Sequence, residues 1–381
     1  MTPLKILFIS EYFPATNQLD IRGGMEARIY HLASAFARKH KIYVIASLEK
    51  GKPMEQLLQG MHVYRVGRPR YYTRIGGRID RFIFMLFAIW KGFWVDFDIV
   101  EGSSFFGWLP ALILSFAKRK KRVLVVADTV NNFVPVGGME ESLLQIYEKF
   151  ILHFHWNKII CISHDVLNKI KRVVTSPKNT IIIYCGADIK SIRKIRTKKL
   201  KVFSISSVAR LVSYKKLDVL IKAIKLVKSV IPEVRLDIIG DGEKYNDLLN
   251  LTQKLHLAKN TYFHRHVPNH KRVLKYIKQS TIFCLPSAVE GFGIVTIEAC
   301  AAGVPVILAN LPIHHEITKK NGALFFRLDD EYDLAKKILE LYKSTSLRNK
   351  LIKQVRSVAE NYPWMKIIKK TEKVYEHMYS H

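Results

Sequence analysis

The segment between residues 281 and 305 limits what this chain can fold into, because a strand-like run, a glycine turn and a helical pattern follow one another there. Thr281–Leu285 is a short apolar run that predicts a buried strand. Gly291 and Gly293 bracket Phe292, so the backbone can approach a ligand closely and present its amide groups. The segment therefore predicts a ligand-binding turn between a strand and a helix of an α/β fold.

Two carboxylates flank this turn. Glu290 lies just before it, and Glu298 lies within the predicted helix Ile294–Ala302. The start of that helix, with free N–H groups and a positive dipole end, favours an anion such as a phosphate. Because carboxylates would repel a phosphate, we expect them to accept hydrogen bonds from neutral hydroxyls on either side of it. The sugar, diphosphate and ribose of a nucleotide sugar fit that order. The alternative is a solvated glutamate in a loop and another on a helix face.

Length and composition exclude several classes of protein. The 381 residues suffice for about two domains, each able to bury its own core, and the 49% hydrophobic content excludes a largely disordered chain. The four cysteines show no C-x-x-C spacing and lie in apolar contexts, which predicts reduced core residues and neither disulfides nor a metal site.

The charge balance predicts an anionic partner. Lys and Arg total 62 against 32 acidic residues, and the formal charge of +30 attracts nucleic acid, an anionic membrane or a phosphorylated substrate without choosing among them. No secretory signal is evident, and the longest apolar stretch, Phe82–Val95, is interrupted by Lys91 and short for a membrane span. We therefore expect a cytoplasmic protein, peripheral on the cytoplasmic face of the membrane.

The chain begins with a βαβ pattern. Lys5–Ser10 predicts a buried strand, a helical pattern follows Gly23 and Gly24, and Ile42–Ala46 predicts the next strand. In a Rossmann-like unit the loop at the carboxyl end of the strand binds ligands. The loop lacks G-x-G-x-x-G, so dinucleotide binding is not indicated. A turn without ligand contact is the alternative for the glycine pair.

A basic segment precedes the longest apolar stretch. Arginine beside large apolar groups is typical of a helix that lies on an anionic membrane, so the Arg65–Val95 region is predicted to contact such a surface. The alternative is a core helix with a solvated basic loop ahead of it. The six arginines are Arg65, Arg68, Arg70, Arg74, Arg78 and Arg81.

A second strand–helix series follows the basic linker at 190–201. Arg210 and Lys215 come after its first strand. Arginine offers a fork to a phosphate and lysine a compact charge, so the pair can hold a pyrophosphate without a metal; two surface cations are the alternative. His314 and His315 do not predict a metal site, because adjacent side chains point in different directions and no third ligand is evident.

These motifs resemble those of the family-four retaining glycosyltransferases, which have the GT-B fold. Glu290-Gly-Phe-Gly-Ile-Val followed by Glu298 is similar to the family's E-x7-E element. Arg210 and Lys215 occupy the matching places of G-R-L-x-x-x-K-G, although Ala209 and Lys216 replace its two glycines.

The N-terminal half resembles the same family. The loop at Gly23 and Gly24 is similar to one that touches the donor phosphate and borders the acceptor site. Asp128 stands about where many members carry a histidine near the reacting sugar, so the role of that histidine is not transferred. Asp128 could orient the acceptor hydroxyl or cap the next segment.

The resemblance implies an α/β GT-B architecture, with two Rossmann-like, doubly wound domains facing across a cleft. We expect an acceptor-side domain at 1–186, a nucleotide-sugar domain at 187–362 and a C-terminal helix at 363–381 that returns to the first domain.

The resemblance also implies retaining transfer of a sugar from a nucleotide diphosphate sugar to a glycan or lipid-linked acceptor, with no cofactor or metal required. Arg210 and Lys215 would stabilise the leaving diphosphate. The amides of Gly291, Phe292, Gly293 and Ile294 would share that role. Glu290 would bind the sugar and Glu298 the ribose.

Two mechanisms and two other functions stay open. The family's usual route is same-face attack with the leaving phosphate as base, and a double displacement through Glu290 is the alternative. A polyanion-binding protein on an inactive GT-B scaffold would use the charge for nucleic acid, which we do not expect because no nucleic-acid module is recognisable. A GT-B sugar-nucleotide epimerase would change the donor without needing an acceptor.

Overall fold

The computed structural model describes residues 3–16, 21, 23–71, 77–130, 139–174, 177–265, 267, 269–319 and 322–380. The chain forms two compact units. Unit 1 comprises residues 1–185 and 364–381, and unit 2 comprises residues 186–363. The sequence placed the boundaries at 186/187 and 362/363, and the structure divides the chain at 185/186 and 363/364.

Unit 1 is built around an eight-stranded sheet in the order β3-β4-β2-β1-β5-β6-β7-β8, in which every described pairing is parallel except β3 with β4. Its strands are β1 (Lys5–Ser10), β2 (Lys41–Glu49), β3 (Glu55–Leu58), β4 (Met61–Arg70), β5 (Ile99–Gly102), β6 (Lys121–Val126), β7 (Lys158–Cys161) and β8 (Thr180–Ile182). Its helices are α1 (Gly24–Phe36), α2 (Arg78–Phe93), α3 (Trp108–Ala117), α4 (Met139–His153), α5 (His164–Val173) and, at the C-terminus, α14 (Trp364–Ser380).

Short strands of Val, Ile and Leu are covered by helices and become the core, as expected for a parallel sheet. In β1, for example, every residue after Lys5 is buried. The chain leaves β1 for β2 on one side and reaches β5 on the other, so the β1/β5 junction is a topological switch point of the doubly wound type. Gly92 lets α2 pack closely on α3, because a Cβ there would lie 2.2 Å from a methyl group of Leu114.

The C-terminal helix α14 is held in unit 1 by a buried polar cluster. Arg28 of α1 donates to Glu101 of β5 over 2.9 Å, and both side chains are fully buried. Tyr375 of α14 donates to the second oxygen of the same carboxylate, and Ser103 donates to the first over 2.6 Å. One glutamate therefore joins the first helix, the sheet and the last helix.

Unit 2 contains a six-stranded sheet in the order β11-β10-β9-β12-β13-β14, parallel throughout. Its strands are β9 (Ser204–Val208), β10 (Arg235–Ile239), β11 (Thr261–His264), β12 (Ile282–Leu285), β13 (Val306–Ala309) and β14 (Leu324–Phe326). Its helices are α6 (Ile189–Lys194), α7 (Leu217–Lys228), α8 (Tyr245–Lys254), α9 (His270–Gln279), α10 (Ile294–Ala302), α11 (Pro312–Thr318), α12 (Glu331–Lys343) and α13 (Thr345–Ala359).

The strand order of unit 2 brings the predicted site residues to one edge of the sheet. The chain proceeds from β9 to β10 and β11 on one side and to β12, β13 and β14 on the other, so the switch point lies between β9 and β12. The loops after these two strands carry Arg210, Lys215 and Glu290. Ligands bind outside the carboxyl ends of strands at such a point.

The prediction for the basic Arg65–Val95 region is partly wrong at the level of single arginines. Arg65 is 1% exposed and donates to the carbonyls of Pro14 and Pro53. Arg70 and Arg81 are also buried, and both form ion pairs with the Glu11 carboxylate. These three guanidinium groups pair inside the protein and do not face solvent. Arg68 is exposed, the side chain of Arg78 is not described, and Arg74 lies outside the described residues.

Candidate active site

An ion pair links the two loops at the switch point of unit 2. The ammonium of Lys215, at the end of a short 3₁₀ turn after β9, donates to Oε1 of Glu290 after β12. The Lys215 and Glu290 side chains are only 11% and 9% exposed. The backbone N–H of Ala288 also donates to the carbonyl of Tyr214 over 2.8 Å, so the loops are joined through the backbone as well.

The charges of this pair determine the state of the Glu290 carboxyl. Burial alone would raise the pKa of Glu290, but the Lys215 ammonium outweighs it and brings this pKa below its ordinary value. Glu290 is therefore a carboxylate at neutral pH, suited to accept hydrogen bonds and unsuited to donate a proton.

Two side chains that the sequence interpretation did not assign to the donor site complete this edge. Tyr214 accepts a hydrogen bond from the Arg210 guanidinium, and its ring lies 5.4 Å from the Lys215 ammonium. His314 at the start of α11 is fully buried, and burial lowers the pKa of its imidazole. Its Nδ1 lies 2.7 Å from the carbonyl of Ala309, so Nδ1 carries the proton and Nε2 presents a lone pair. A sequence pattern does not show these contacts, because they depend on how the loops after β9 and β13 turn and not on a regular spacing along the chain.

The glycine turn begins α10 as the sequence predicted. Gly293 adopts a left-handed conformation with φ 74° at the N-cap, where glycine has no side chain to cap the helix. The first turn starts at Ile294 beside Glu290, so the positive end of the helix dipole lies at the switch point. The Phe292 side chain is 3% exposed and packs against Tyr362, with ring centroids 5.6 Å apart. Phe292 therefore offers its backbone to this edge while its ring belongs to the core.

Glu298 lies one turn further along α10 and is paired with a histidine. Its Oε1 is 2.6 Å from Nε2 of His270, the first residue of α9. Its Oε2 is buried and has no hydrogen-bond partner within the part of the chain that the structure describes. His270 was not identified from the sequence, since it is far from Glu298 along the chain.

The G-D-G turn after β10 supports the loop that carries Arg210. A Cβ on Gly240 would lie 1.9 Å from the carbonyl oxygen of Ala209, so only glycine permits this approach. Asp241 in the same turn holds Arg265 through both carboxylate oxygens, at 2.9 and 3.2 Å.

The candidate residues of unit 1 lie at the carboxyl ends of its strands. Gly23 is the extended N-cap of α1 and Gly24 its first residue. Asp128 follows β6, is 1% exposed, accepts from the backbone N–H of Thr129 and pairs with Lys169 at 3.1 Å. This arrangement fits capping and charge pairing, and the orienting role of Asp128 stays a prediction.

A second buried carboxyl accompanies Asp128 and was missed. Both oxygens of Glu148, on α4, accept from the backbone N–H of Val130 at 3.1 and 3.2 Å. Burial, together with the nearby Asp128, raises the pKa of Glu148 to about 7. The edge of unit 1 therefore holds one paired carboxylate and one that titrates near neutrality.

One group of side chains in the described residues has the spacing of a metal site, namely His40 with Glu372 and Glu376. The backbone N–H of Leu4 donates to Nδ1 of His40, which places the imidazole proton on Nε2. That nitrogen faces Glu372 at 3.4 Å and has no lone pair for a metal. The donor set does not fit a bound cation.

Comparisons with known proteins match almost the whole chain. The model of the family described as "Glycosyl transferases group 1" matches residues 188–358, and that of "Glycosyltransferase Family 4" matches residues 22–191. A phosphatidylinositol N-acetylglucosaminyltransferase gpi3 subunit from Schizosaccharomyces pombe is 26% identical over 363 residues, covering 93% of this chain and 77% of the relative.

Solved structures show the same fold. Sucrose-phosphate synthase from Thermosynechococcus elongatus superposes with a TM-score of 0.85 at 17% identity, covering 99% of each chain. Anabaena HepE, solved in complex with UDP-glucose, gives a TM-score of 0.77 at 17% identity, covering 99% of this chain and 100% of that protein. The fold is therefore GT-B, as predicted. No helix in the described ranges has both the length and the apolar character that crossing a bilayer requires.

Proposed function

The chain belongs to the glycosyltransferases of group 1 and family 4, and on that premise we propose that it transfers a sugar from a nucleotide diphosphate sugar to a lipid-linked acceptor with retention of the anomeric configuration. The observation that carries the proposal is the Lys215–Glu290 pair beside the N-terminus of α10 at the switch point of unit 2. A cation, a carboxylate and the positive end of a helix dipole therefore lie together at one edge of the sheet.

The donor would be held by complementary charges. Lys215, Arg210 and the N-terminus of α10 form a positive group that suits the diphosphate and the charge that grows on it as the glycosidic bond breaks. Glu290 is ionised, so it accepts hydrogen bonds from sugar hydroxyls. Glu298 accepts from the ribose through its buried Oε2. No cofactor or metal is required, since cationic side chains neutralise the leaving group.

The ionised state of Glu290 favours retention without an enzymic nucleophile. A carboxylate already paired with Lys215 is a weak nucleophile, because the ammonium neutralises its charge. The leaving phosphate would then accept the proton of the attacking hydroxyl on the same face of the sugar. A double displacement through Glu290 would instead leave a glycosyl ester on this residue.

The test of the donor site is Glu290→Gln, with exposed Glu243→Gln of the same unit as the matched control. We expect Glu290→Gln to lower kcat by about 100-fold or more, since mutations that remove one transition-state contact cost about 10²–10³. The control should keep wild-type kcat, and NMR of the product should show the anomeric configuration of the donor. Near-normal turnover in Glu290→Gln, or an inverted product, would contradict the proposal.

A lipid acceptor is supported by an exposed apolar face on unit 1, which we call the α2 face. Its side chains recur at helical spacing on the solvent side of α2 and of its C-cap residue, opposite the buried Phe84 and Ala88, and each is at least 46% exposed. From the usual size of aromatic side chains, its aromatic rings alone expose on the order of 500 Å², close to the largest patches of monomeric proteins. The members are Ile79, Phe82, Leu86, Phe87, Trp90, Phe93 and Trp94.

The charged residues next to the α2 face indicate which kind of surface it would bind. Helix α3, which packs on α2, is followed by a run of five basic residues at 118–122, which leads into β6. Arg119 in this run is exposed, and the Arg122 guanidinium lies 4.0 Å above the half-exposed ring of Phe116. Aromatic and basic groups side by side suit an anionic phospholipid bilayer. The fission-yeast relative is named for transfer to phosphatidylinositol, a lipid, which supports the same acceptor class.

Vesicle co-sedimentation tests the membrane contact. We expect binding to phosphatidylglycerol-containing vesicles and weak binding to phosphatidylcholine alone. Replacing both Trp90 and Trp94 by Glu should reduce binding by about 100-fold, taking roughly 1–2 kcal/mol for each ring that is partly buried at the interface. Tyr332→Glu, which changes a 70% exposed aromatic residue of unit 2, is the control. Vesicle binding that is unchanged in the tryptophan variant would refute the proposed surface. A wild-type protein that is dimeric in solution, together with a tryptophan variant that is monomeric, would refute it as well.

A further inference from the structure

We propose that His270 is a positioning residue for nucleotide binding, which fixes the Glu298 carboxylate so that its Oε2 alone faces the ribose of the donor. The inference rests on the proposed function, because it assumes that Glu298 binds the ribose. Its basis is geometric: Nε2 of His270 lies 2.6 Å from Oε1 of Glu298, and the Glu298 side chain is 8% exposed.

The contact with His270 uses one oxygen of the Glu298 carboxylate and leaves the other available for a ligand. Within the described chain, Oε2 of Glu298 is buried and has no hydrogen-bond partner. A buried carboxylate oxygen without a partner is costly, so it points to a group that arrives with a ligand. A ribose hydroxyl has the required donor. With Oε1 held by His270, the carboxylate can accept from one hydroxyl in a fixed direction and cannot rotate to offer either oxygen.

The position of His270 in its helix is unfavourable for a cation unless Glu298 pairs with it. His270 is the first residue of α9, where the N-terminal end of the helix dipole disfavours positive charge. Glu298 nevertheless raises the pKa of His270 above its ordinary value, against the effect of burial. Asn269, not His270, caps the helix through the N–H of Lys271. The imidazole is therefore held toward α10 and not used for capping.

The geometry predicts which substitutions of His270 keep the hydrogen bond to Glu298. Glutamine can place its amide N–H about where Nε2 of His270 lies, whereas asparagine is too short to reach Glu298 from the same backbone position. We therefore expect His270→Gln to restore most of the function and His270→Asn to behave like His270→Ala. A residue needed only for helix stability would not show this order.

The experiment measures the dissociation constants of uridine and guanosine diphosphate by calorimetry, followed by donor KM and kcat. His270→Ala and His270→Asn should weaken binding of the preferred nucleotide by about 10-fold, the loss of roughly 1.4 kcal/mol from a charge-assisted contact. We expect donor KM to rise by a similar factor while kcat changes by less than about 2-fold, as for a contact made equally in ground and transition states. Lys271→Ala, on the exposed neighbouring residue, is the control.

A double-mutant cycle shows whether His270 acts through Glu298. If it does, His270→Ala with Glu298→Ala binds the nucleotide no more weakly than Glu298→Ala alone, since the two losses are not additive. The His270 effect should also vanish for whichever of the 2′-deoxy and 3′-deoxy nucleotides lacks the hydroxyl that Glu298 binds. Wild-type affinity in folded His270→Ala, or additive losses, would overturn this inference alone. If Glu298→Ala itself binds the nucleotide normally, the proposed donor site fails as well.

Discussion

Replacing Glu101 by glutamine should destabilise unit 1 strongly, because it leaves the Arg28 guanidinium buried without a counter-charge. Arg28 and Glu101 are both 0% exposed, and Nε and Nη2 of Arg28 already have no hydrogen-bond partner in the described chain. Removing one partner of a buried ion pair costs about 3–5 kcal/mol. The glutamine oxygen can still accept from Arg28 and Ser103 while its amide N–H donates to the Tyr375 hydroxyl, so we attribute the loss to the charge and not to the hydrogen bonds.

Urea unfolding followed by tryptophan fluorescence measures this loss in unit 1 alone. All five tryptophans lie in unit 1, and Trp108, Trp156 and Trp364 are buried in its core. With a slope of about 2 kcal/mol per molar urea, the expected loss lowers the midpoint by roughly 1.5–2.5 M.

Two further variants show whether the buried charge is the cause. Lys39→Met removes the exposed ion pair between Lys39 and Glu372, which lies on α14 like Tyr375. This substitution should cost only about 0–1 kcal/mol. Arg28→Met combined with Glu101→Gln should recover stability relative to Glu101→Gln alone, since the unpaired cation is gone. A midpoint of Glu101→Gln equal to wild type, or a double variant no more stable than the single one, would refute the reasoning.

Three other changes test single contacts. Asp128→Asn should destabilise unit 1 by about 1–3 kcal/mol through loss of its pair with Lys169, with kcat within about 3-fold of wild type; a stable variant with kcat lowered about 100-fold would instead support the orienting role. The pKa of Glu290 is lowered in the fold, so its pairing with Lys215 stabilises unit 2 above the unfolded pKa of about 4.5, and this is lost as pH falls through the folded pKa. The free energy of unfolding of unit 2, measured by hydrogen exchange, should therefore be higher in wild type than in Lys215→Met, and this difference should become smaller in acid. A difference that becomes larger in acid would contradict the predicted direction. Gly293→Ala should destabilise unit 2 by about 1–2 kcal/mol, since its φ of 74° is unfavourable for alanine, and an unchanged melting temperature would argue against the left-handed turn.

The sequence was sufficient for the fold and for the elements that carry the donor-site candidates. Parallel strands have continuous apolar runs and helices a regular period, so β12, the glycine turn and α10 could be predicted from one segment. The order of the strands then accounts for the meeting of the loops after β9 and β12, which the resemblance to GT-B proteins had implied.

Side-chain partners across loops could not be predicted in this way. Lys215 and Glu290 were each assigned a ligand group, and neither was expected to bind the other. Composition was equally misleading for the basic segment, because Arg65 and Arg70 are buried among carbonyls and carboxylates that come from distant positions. The apolar residues of the same region gave the more informative signal, since α2 is apolar on its solvent side as well as on its buried side.

Lys216 shows why the loss of a family glycine need not disturb the site. It adopts φ 50° and ψ 36°, the left-handed conformation that glycine takes most readily, at the N-cap of α7. This conformation costs a non-glycine residue roughly 1–2 kcal/mol, and the Lys216 side chain pairs with Asp329 at 2.8 Å, which offsets part of it. The backbone still turns where the glycine would have turned it, so Lys215 still reaches Glu290. The motif is therefore preserved as a conformation although its residue has changed, and a search for the glycine itself would have missed the phosphate-binding candidate.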